Sequence, residues 1–447
     1  MGLTFAEKAL SAKAGREVHA GEIITVEPDA VLSHDNSAAI AKNFAAIGVE
    51  KVRYPERIVI VLDHCVPAAD FKHATNHKQI REFVSAQGIT HFYDINHGVC
   101  HQVLLEQGLA GPGRVLVGSD SHTTSYGAVG AFSAGIGRTE AACTWATGEL
   151  WLRVPETMRI TVSGAWPKRL GSKDLMLHVA GQIKADGGDY LSVEWTGAAV
   201  HELSVDERIT LANMSAEIGA KNGYIPPDAK VAEWLASTIN SGTGSSGTAV
   251  PGRHAGSQTE SQAGTPVPLN PDDYTKWHTD ADAGIARTVE IDIANLAPQI
   301  ACPHRVDNVT EVSQVAGTRV HQCLLGTCTN GRLEDLMAAW EVLKGKHVHS
   351  GTRLLVFPAS QRVNRQAVRA GLMEQFIDAG AVWMNPGCGP CLGAHEGALA
   401  PEEACISTAN RNFKGRMGTP ESAIYLASPQ SVAAAAVTGE ITDPREV

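Results

Sequence analysis

The sequence lacks any apolar run long enough to span a bilayer, which excludes an ordinary transmembrane helix. Residues 1–8 lack the basic segment and apolar stretch of a signal peptide, so a cytoplasmic location is expected. Runs of basic residues are also missing. With 37 Lys and Arg against 48 Asp and Glu, the formal charge is −11, which disfavours a nucleic-acid or anionic-membrane surface.

Cysteine is sparse, because nine residues in a chain of 447 do not form a disulfide framework. Three of the nine stand out, since small, bend-forming residues surround them. Cys388 and Cys391 form a Cys-x-x-Cys pair, and Cys328 lies 60 positions upstream, in another part of the fold. Three thiolates suit an iron–sulfur cluster that leaves one metal corner open for chemistry.

A structural zinc site is the alternative interpretation of these cysteines. Adding Cys323 to the other three would give four thiolates, the set that a closed zinc site requires. Cys323 lies inside an apolar predicted strand, which counts against this set. Spacing alone leaves both interpretations open.

Short β-branched runs alternate with helical patterns, which is typical of α/β layers with mostly parallel sheets. A chain of this length is expected to form two to four subdomains. The predicted strands are 57–62, 114–117, 158–162, 320–325, 353–357 and 423–426. The predicted helices are 74–87, 139–152 and 173–184.

One segment breaks this alternation. Residues 237–271 are rich in Ser, Gly, Thr and Pro, which predicts a flexible surface loop. Within it, residues 242–247 match a dinucleotide-binding fingerprint. We reject that match because no strand precedes it and no helix follows it.

Polar side chains follow the predicted strands at the edge where parallel sheets gather ligands. Asp63 and His64 follow the first strand, and a His beside a carboxylate can act as a general acid. A strand-end His that is merely capped by its neighbour is the alternative.

Asp120, Ser121 and His122 follow the next strand. Their adjacency excludes an in-line hydrolase triad but allows separate contacts from one loop.

Two arginines, Arg411 and Arg416, lie close together in a glycine-containing segment. The planar guanidinium fork matches a carboxylate, so two of them near thiolates predict a polycarboxylate ligand. A solvated basic loop is the alternative.

Taken together, four blocks of the sequence resemble the aconitase superfamily. These blocks are residues 118–123 (Gly-Ser-Asp-Ser-His-Thr), 325–330 (Leu-Gly-Thr-Cys-Thr-Asn), 388–391 (Cys-Gly-Pro-Cys) and 410–416 (Asn-Arg-Asn-Phe-Lys-Gly-Arg). They occur in the family's order, and the resemblance covers nearly the whole chain. Residues 63–67 and 415–418 are most similar to large subunits of the 3-isopropylmalate dehydratase and homoaconitase branch.

The resemblance implies an α/β fold of three α/β/α subdomains with mostly parallel sheets around a central cleft. Their expected bounds are 1–155, 156–295 and 296–447, with the cluster cysteines in the third. The implied activity is that of a hydro-lyase acting on a 2-hydroxy di- or tricarboxylic acid. Isopropylmalate of leucine biosynthesis is the first expectation. Homoaconitase and hydratases of the maleate, dimethylmaleate or methylmalate type are the alternatives.

The resemblance also implies roles for individual residues. Cys328, Cys388 and Cys391 would hold three irons of a [4Fe–4S] cluster, whose fourth iron would bind the substrate hydroxyl and a carboxylate. His64, paired with Asp63, would protonate the departing hydroxyl. The pairs expected to steer water are His101 with Asp120 and His122 with Glu217. The residues expected to contact substrate are His34, Ser121, Asn213, Arg411 and Arg416.

The same resemblance indicates what the chain lacks. Single-chain aconitases carry a Gly-Ser-Ser-Arg motif on a swivelling fourth domain, which supplies a serine base and an arginine. Here residues 244–247 read Gly-Ser-Ser-Gly, without the arginine. The chain is therefore expected to need a separate small subunit, in a heterodimer or heterotetramer. His34 stands where aconitases proper have Gln, so citrate is a weaker candidate substrate. An iron-responsive RNA-binding regulator is a further alternative, which the charge of −11 disfavours.

Overall fold

The computed structural model describes residues 2–242, 270–393 and 395–447. Strands and helices alternate along these residues. The strands are β1 (Ile23–Val26), β2 (Ala30–Ser33), β3 (Ile58–Val61), β4 (His91–Tyr93), β5 (Val115–Gly118), β6 (Phe132–Gly135), β7 (Leu150–Arg153), β8 (Thr157–Ser163), β9 (Ser192–Thr196), β10 (Asn222–Tyr224), β11 (Arg287–Asp292), β12 (Gln299–Ala301), β13 (Val309–Glu311), β14 (Gln322–Leu325), β15 (Arg353–Val356), β16 (Val382–Trp383), β17 (Ala404–Ser407) and β18 (Ala423–Ala427). The α-helices are α1 (Phe5–Ala14), α2 (Ser37–Ile47), α3 (Phe71–Gln87), α4 (Cys100–Glu106), α5 (Arg138–Thr147), α6 (Ser172–Ile183), α7 (Ala198–Glu202), α8 (Val205–Met214), α9 (Ala229–Gly242), α10 (Pro271–Thr275), α11 (Leu333–Leu343), α12 (Gln361–Arg369), α13 (Leu372–Asp378) and α14 (Pro429–Thr438).

Three sheets are built mainly from parallel strands. The five-stranded sheet has the order β4-β3-β2-β5-β6 and the four-stranded sheet the order β10-β9-β8-β11, and the pairings in both are parallel. In the seven-stranded sheet, of order β13-β12-β18-β17-β14-β15-β16, β12 pairs antiparallel with β13 and β18 and the other pairs are parallel. A small sheet pairs β1 with β7 antiparallel. The predicted α/β class is confirmed.

The predicted helix 139–152 is wrong over its last turn. Helix α5 ends at Thr147 because Gly148 takes a left-handed conformation with φ of +83°. The chain then extends as β7, in which Leu150 and Leu152 are buried while Trp151 is 60% exposed. Alternation of this kind is the two-residue period of a strand, so the apolar run was assigned the wrong period.

The predicted helix 74–87 begins earlier than expected. Helix α3 begins at Phe71, because the Asp70 carboxylate accepts the backbone N–H of His73 at 2.8 Å and so caps the first turn.

The predicted loop 237–271 is wrong at both of its described ends. Its first residues continue α9, whose Val231, Leu235 and Thr238 are buried at helical spacing. At the other end, Pro271 is the first residue of α10, a position where its missing N–H costs nothing. Residues 243–269, with nearly all of the glycine-rich match, lie outside the described residues.

One continuous apolar core joins the three main sheets. It contains Leu116 of the five-stranded sheet, Val193 of the four-stranded sheet and Leu324 of the seven-stranded sheet. Smaller apolar clusters lie around Phe5 beside the first sheet and around Phe376 beside the third. The shared core holds the carboxyl ends of strands from different sheets close together. No helix in the described ranges is long and apolar enough to cross a membrane.

Candidate active site

A cavity of about 200 Å³ lies where the segments after β2, β3 and β5 face the segments after β14 and β17. Parallel strands present their carboxyl ends at one edge, which explains why these segments converge. The lining residues are His34, Asp63, His64, Val99, Cys100, His101, Asp120, His122, Cys328, Cys388, Cys391, Leu392, Asn410, Arg411 and Arg416.

His64 is held by a fully buried carboxylate. Its Nδ1 lies 2.6 Å from Oδ1 of Asp63, and the other oxygen of Asp63 accepts the backbone N–H of Cys100 at 2.7 Å. Burial alone would lower the pKa of His64, but the charge and hydrogen bond of Asp63, with the charges of Asp35 and Asp120, raise it to about 10. His64 therefore keeps a proton at neutral pH, and its Nε2 lines the cavity 4.0 Å from Asp120.

His34 stacks on His64, with ring centroids 3.9 Å apart. Burial, followed by the charge of His64, lowers the pKa of His34 to about 4. The two stacked rings therefore carry different charges at neutral pH. The Nδ1 atom of His34 is buried and has no hydrogen-bond partner among the described residues.

A second chain of polar groups joins three elements. Nε2 of His101 lies 2.9 Å from Oδ1 of Asp120, and the same oxygen accepts the backbone N–H of His122 at 2.8 Å. Nε2 of His122 lies 2.7 Å from Oε1 of Glu217. Burial opposes ionisation of Asp120, but hydrogen bonds from His101 and His122 outweigh it and hold the pKa of that carboxyl well below its usual range. Asp120 is therefore an anion on the cavity wall.

Both predicted arginines line the cavity. Nε of Arg411 donates to Glu217 at 2.8 Å, so the guanidinium is anchored by the carboxylate that also holds His122. Nη2 of Arg416 lies 4.0 Å from Sγ of Cys391. Nε of Arg416 is buried and lacks a partner within the described ranges. The loop is therefore not simply a solvated basic segment.

The three predicted cysteines all line the cavity and are each at most 9% exposed. A hydrogen bond from Cys388, followed by the attraction of Arg416 and His122 against the effect of burial, lowers the pKa of Cys391. A thiolate is the form that binds metal. Three buried sulfur donors, one of them poised as a thiolate, fit a three-ligand metal centre.

Cys323 does not join this set. It lies in β14, opposite Leu354 and Ile406 of the neighbouring strands, and is buried in the apolar cluster of the seven-stranded sheet. The four-thiolate zinc set that includes Cys323 is therefore contradicted. Cys100 also lines the cavity, and burial raises the pKa of its thiol, as it does for Cys328 and Cys388; its position at the start of α4, away from the two cysteine loops, is what separates it from the set.

The cysteine loops have unusual backbone geometry. Thr327, beside Cys328, has φ of +73°, a left-handed conformation that β-branched residues rarely adopt. Its hydroxyl lies 2.9 Å from that of Thr329. Gly389 has φ of +57°, and a Cβ there would meet the ring of Phe357 at 2.7 Å. The fold thus constrains both loops strongly where they present sulfur.

Asn213 and Ser121 lie beside the cavity and are not among its lining residues. Asn213 is fully buried and accepts from Nδ2 of Asn410 at 2.8 Å. That amide also lies 3.1 Å from Sγ of Cys328. Ser121 lies between Asp120 and His122 in the same turn.

Sequence reasoning misses two residues that hold the site together. Asp35 accepts the backbone N–H groups of Asp63 and His64 at 2.9 and 2.8 Å. Asp35 follows the end of β2 as Asp63 follows the end of β3, so the same strand-end pattern could have predicted it. Lys173 is 1% exposed and donates to the carbonyls of Thr408 and Ala409 at 2.8 and 2.7 Å. No sequence pattern predicts that contact between α6 and the segment after β17.

Comparison with known proteins identifies the family. The model of the aconitase family (aconitate hydratase) matches residues 7–439. The chain belongs to the aconitase family. It is 45% identical over 446 residues to 3-isopropylmalate dehydratase large subunit 1 of Methanopyrus kandleri, covering 100% of this chain and 99% of that protein. It is 46% identical over 451 residues to the homoaconitase large subunit of Thermus thermophilus, covering 100% and 98%.

A probable 3-isopropylmalate dehydratase large subunit of Methanothermobacter thermautotrophicus is 44% identical over 446 residues, covering 99% of both chains. Among solved structures, Thermococcus kodakaraensis aconitase X in its holo-form has a TM-score of 0.49 and 12% identity, covering 93% of this chain and 94% of that chain.

The family membership confirms two predictions. Like other aconitases, this chain is an iron–sulfur-dependent hydro-lyase, and its cofactor is a [4Fe–4S] cluster. Its own residues fit that cofactor, because three buried sulfur atoms face one cavity that also holds two arginines and several histidines.

Proposed function

We propose that this chain is the large, iron–sulfur subunit of a 3-isopropylmalate dehydratase, which interconverts 2-isopropylmalate and 3-isopropylmalate in leucine biosynthesis. One observation carries the proposal: a single cavity brings together three buried cysteines, the protonated His64 and two arginines. Full-length relatives named 3-isopropylmalate dehydratase large subunit support the choice of acid. A cytoplasmic location belongs to the proposal, because the thiols must stay reduced.

Cys328, Cys388 and Cys391 are the proposed cluster ligands. The cluster they hold supplies a Lewis-acid metal to the substrate hydroxyl and an adjacent carboxylate. Asn410, which lies 3.1 Å from Sγ of Cys328, and Arg416, which lies 4.0 Å from Sγ of Cys391, stabilise negative charge on the sulfur atoms.

His64 is the proposed general acid. Its raised pKa of about 10 means that it carries a proton at neutral pH, and Asp63 orients that proton through the other ring nitrogen. Protonation of the departing hydroxyl turns a poor leaving group into water, which lowers the barrier to dehydration.

His101 with Asp120, and His122 with Glu217, are the proposed water-orienting pairs. Asp120 accepts from two histidine-bearing segments at once, so its charge and position are both set by hydrogen bonds. A fixed acceptor of this kind can hold the hydroxyl group in one orientation before and after the carbon–oxygen bond breaks.

The two arginines are the proposed carboxylate-binding residues. Among the described contacts of Arg411, only Nε donates to Glu217. The two terminal nitrogens of the guanidinium are therefore available to a substrate carboxylate. His34, neutral beside the charged His64, is proposed to contact the substrate. Ser121 and Asn213 complete the proposed substrate-contacting set, Asn213 through Asn410.

The site is proposed to draw on three subdomains, 1–155, 156–295 and 296–447. Each main sheet lies within one of these ranges, which supports the division. In this arrangement His64 comes from the first subdomain, Glu217 from the second and the cysteines from the third.

A separate small subunit is proposed to complete the enzyme, in a heterodimer or heterotetramer. Relatives that this chain matches over its full length are named large subunits, which supports a two-subunit enzyme. Dehydration also needs a base on the carbon side, opposite His64, and the sequence has no Gly-Ser-Ser-Arg motif to supply it. Homoaconitase is the second candidate, because a homoaconitase large subunit is 46% identical.

The test is a steady-state assay of the chain with its cluster reconstituted, with and without the candidate small subunit. Isopropylmalate, homoaconitate and maleate form the substrate panel. We expect the highest kcat/KM for isopropylmalate, and only with both subunits present. Loss of an activated base costs about 10²–10⁴-fold in rate, so the lone chain should turn over slowly. A higher kcat/KM for homoaconitate than for isopropylmalate would favour the second candidate. Full activity of the chain without the small subunit would contradict the proposal that this chain lacks the base.

A further inference from the structure

A second cavity, of about 210 Å³, lies outside the active site, where α4 meets α12. We name it the arginine pocket. Its lining residues are His97, Val103, Glu106, Gln107, Thr238, Gln361, Arg362, Arg365, Gln366 and Arg369. The three arginines are spaced by three and four positions on α12, which puts them on one face of that helix.

Among the described residues, the positive charge of this pocket is not balanced by close ion pairs. Across the described ranges, no carboxylate lies within 4.0 Å of a nitrogen of Arg362, Arg365 or Arg369. Nη1 of Arg362 is also buried and has no hydrogen-bond partner among the described residues. Leaving a buried charged donor without an acceptor is costly, so an acceptor from outside these residues is expected.

Glu106 makes no ion pair within 4.0 Å of Arg362 among the described residues, and one of its two oxygens is engaged elsewhere. Its Oε1 accepts the hydroxyl of Ser360 at 2.6 Å and Nε2 of Gln102 at 3.0 Å. Burial raises the pKa of Glu106, while its hydrogen bonds and the charges of Arg362 and Arg332 act in the opposite direction.

We propose that the arginine pocket binds a small oxyanion bearing carboxylate or phosphate oxygens. Nη1 of the half-buried Arg362 supplies a buried donor, and the more exposed Arg365 and Arg369 supply charge at the mouth. The volume suits a ligand of few heavy atoms rather than a macromolecule. This proposal does not depend on which hydroxy acid the active site takes.

The pocket is connected to the active site by short polar contacts. Glu106 is bound to Gln102, whose Oε1 accepts from Nε of Arg332 at 3.1 Å. Nη2 of Arg332 donates to the carbonyl of Cys328 at 2.8 Å. Helix α4 also carries His101, so one element borders both cavities. An anion held here would lie at the end of a hydrogen-bonded path to a cluster-ligand loop.

The experiment titrates the cluster-loaded chain with inorganic phosphate and, separately, with malonate, by isothermal titration calorimetry at constant ionic strength. The variants are Arg362→Gln and Arg365→Gln. Arg138→Gln, an exposed arginine at the start of α5, is the matched control for charge. Because Arg365 is exposed, its variant is expected to fold normally even where Arg362→Gln does not.

We expect at least one probe to bind and both pocket variants to weaken that binding by about tenfold or more, the loss expected for one charge-assisted hydrogen bond. Arg138→Gln should bind like the unmodified chain. Binding of phosphate alone assigns the pocket to phosphate groups, and binding of malonate alone assigns it to carboxylates. Absence of binding by both probes, or equal affinity in all variants, would overturn the proposal.

Discussion

The histidines of the cavity carry different charges because their neighbours differ. His64 is hydrogen-bonded to the buried Asp63, which raises its pKa to about 10. Burial, followed by the charge of the adjacent His64, lowers the pKa of His34 to about 4. At neutral pH His64 is protonated and can donate a proton, while His34 is neutral. The difference in charge allows the two rings to stack in contact, since two charged rings would repel each other.

The raised pKa of His64 predicts a pH-dependent contribution to stability. The folded pKa, about 10, lies above the ordinary 6.5, so the contribution is complete below pH 6.5 and is lost as the pH rises through 10. The free energy of unfolding of the protein minus that of His64→Asn should therefore fall over this window. Chemical denaturation across the pH range measures the difference. His19→Asn, at an exposed histidine, is the control, and a difference that stays flat for His64→Asn would contradict the prediction.

Replacement of one cluster cysteine should abolish activity. Cys391→Ser removes a donor with a lowered pKa, so the cluster should not assemble fully. Iron and sulfide analysis, together with the broad absorbance near about 400 nm of thiolate–iron charge transfer, measures the loss. Cys143→Ser, at an exposed cysteine, is the control and should keep both cluster and activity. Full activity in Cys391→Ser would refute the ligand assignment.

At the scale of elements, α6 is tied to the segment after β17 by Lys173. The ammonium has two backbone carbonyls as partners, those of Thr408 and Ala409, immediately before Asn410 and Arg411. Burial lowers the pKa of Lys173 to about 7, although the nearby cysteines favour its charged form. Helix α6 thus holds in place the turn that carries Asn410 and Arg411, both of which line the cavity.

Lys173→Met should therefore destabilise the fold and weaken cluster retention. The buried carbonyl of Ala409 would lose its donor, at about 1–3 kcal/mol for an unsatisfied group, whereas the carbonyl of Thr408 would keep the hydroxyl of Thr329 at 2.6 Å. Chemical denaturation reports the first effect, and iron content after gel filtration reports the second. Lys168→Met, at an exposed lysine, should change neither. Unchanged stability and iron content in Lys173→Met would show that the contact is dispensable.

At the scale of the whole molecule, the active site lies between parts of the chain that are far apart in sequence. The cavity combines His34 with Arg416, and a shared apolar core holds their sheets together. Three cysteine ligands would leave one metal of the cluster without a protein ligand, and so accessible to substrate and equally to oxidants.

Air should therefore inactivate the enzyme without unfolding it. We expect activity and visible absorbance to fall while the far-ultraviolet circular dichroism of the protein stays constant, because the apolar core does not depend on the cluster. Anaerobic addition of iron and a thiol reductant should restore activity. A parallel loss of circular dichroism and activity would show that the cluster is needed for the fold itself.

The sequence alone determined which polar and sulfur-bearing residues stand at strand ends and in the turns that follow them. Strand-end positions predicted Asp63 and Asp120, and the small-residue context of Cys328 and Cys391 predicted the thiolates; all four residues line one cavity. Their positions at strand ends and in turns could be predicted because the period of a strand and the turn that follows it are local properties. The same local reasoning failed at 148–152, where an apolar run fits either a helix or a strand.

Only the tertiary structure decided which distant residues meet. It buries Cys323 among apolar side chains while Cys328, five positions later, faces the cavity. It also brings Lys173 to Thr408, Asp35 to His64 and the three arginines of α12 to one pocket. Such contacts depend on how helices and sheets pack across hundreds of residues. Periodicity within one segment carries no information about the partner that the segment will face.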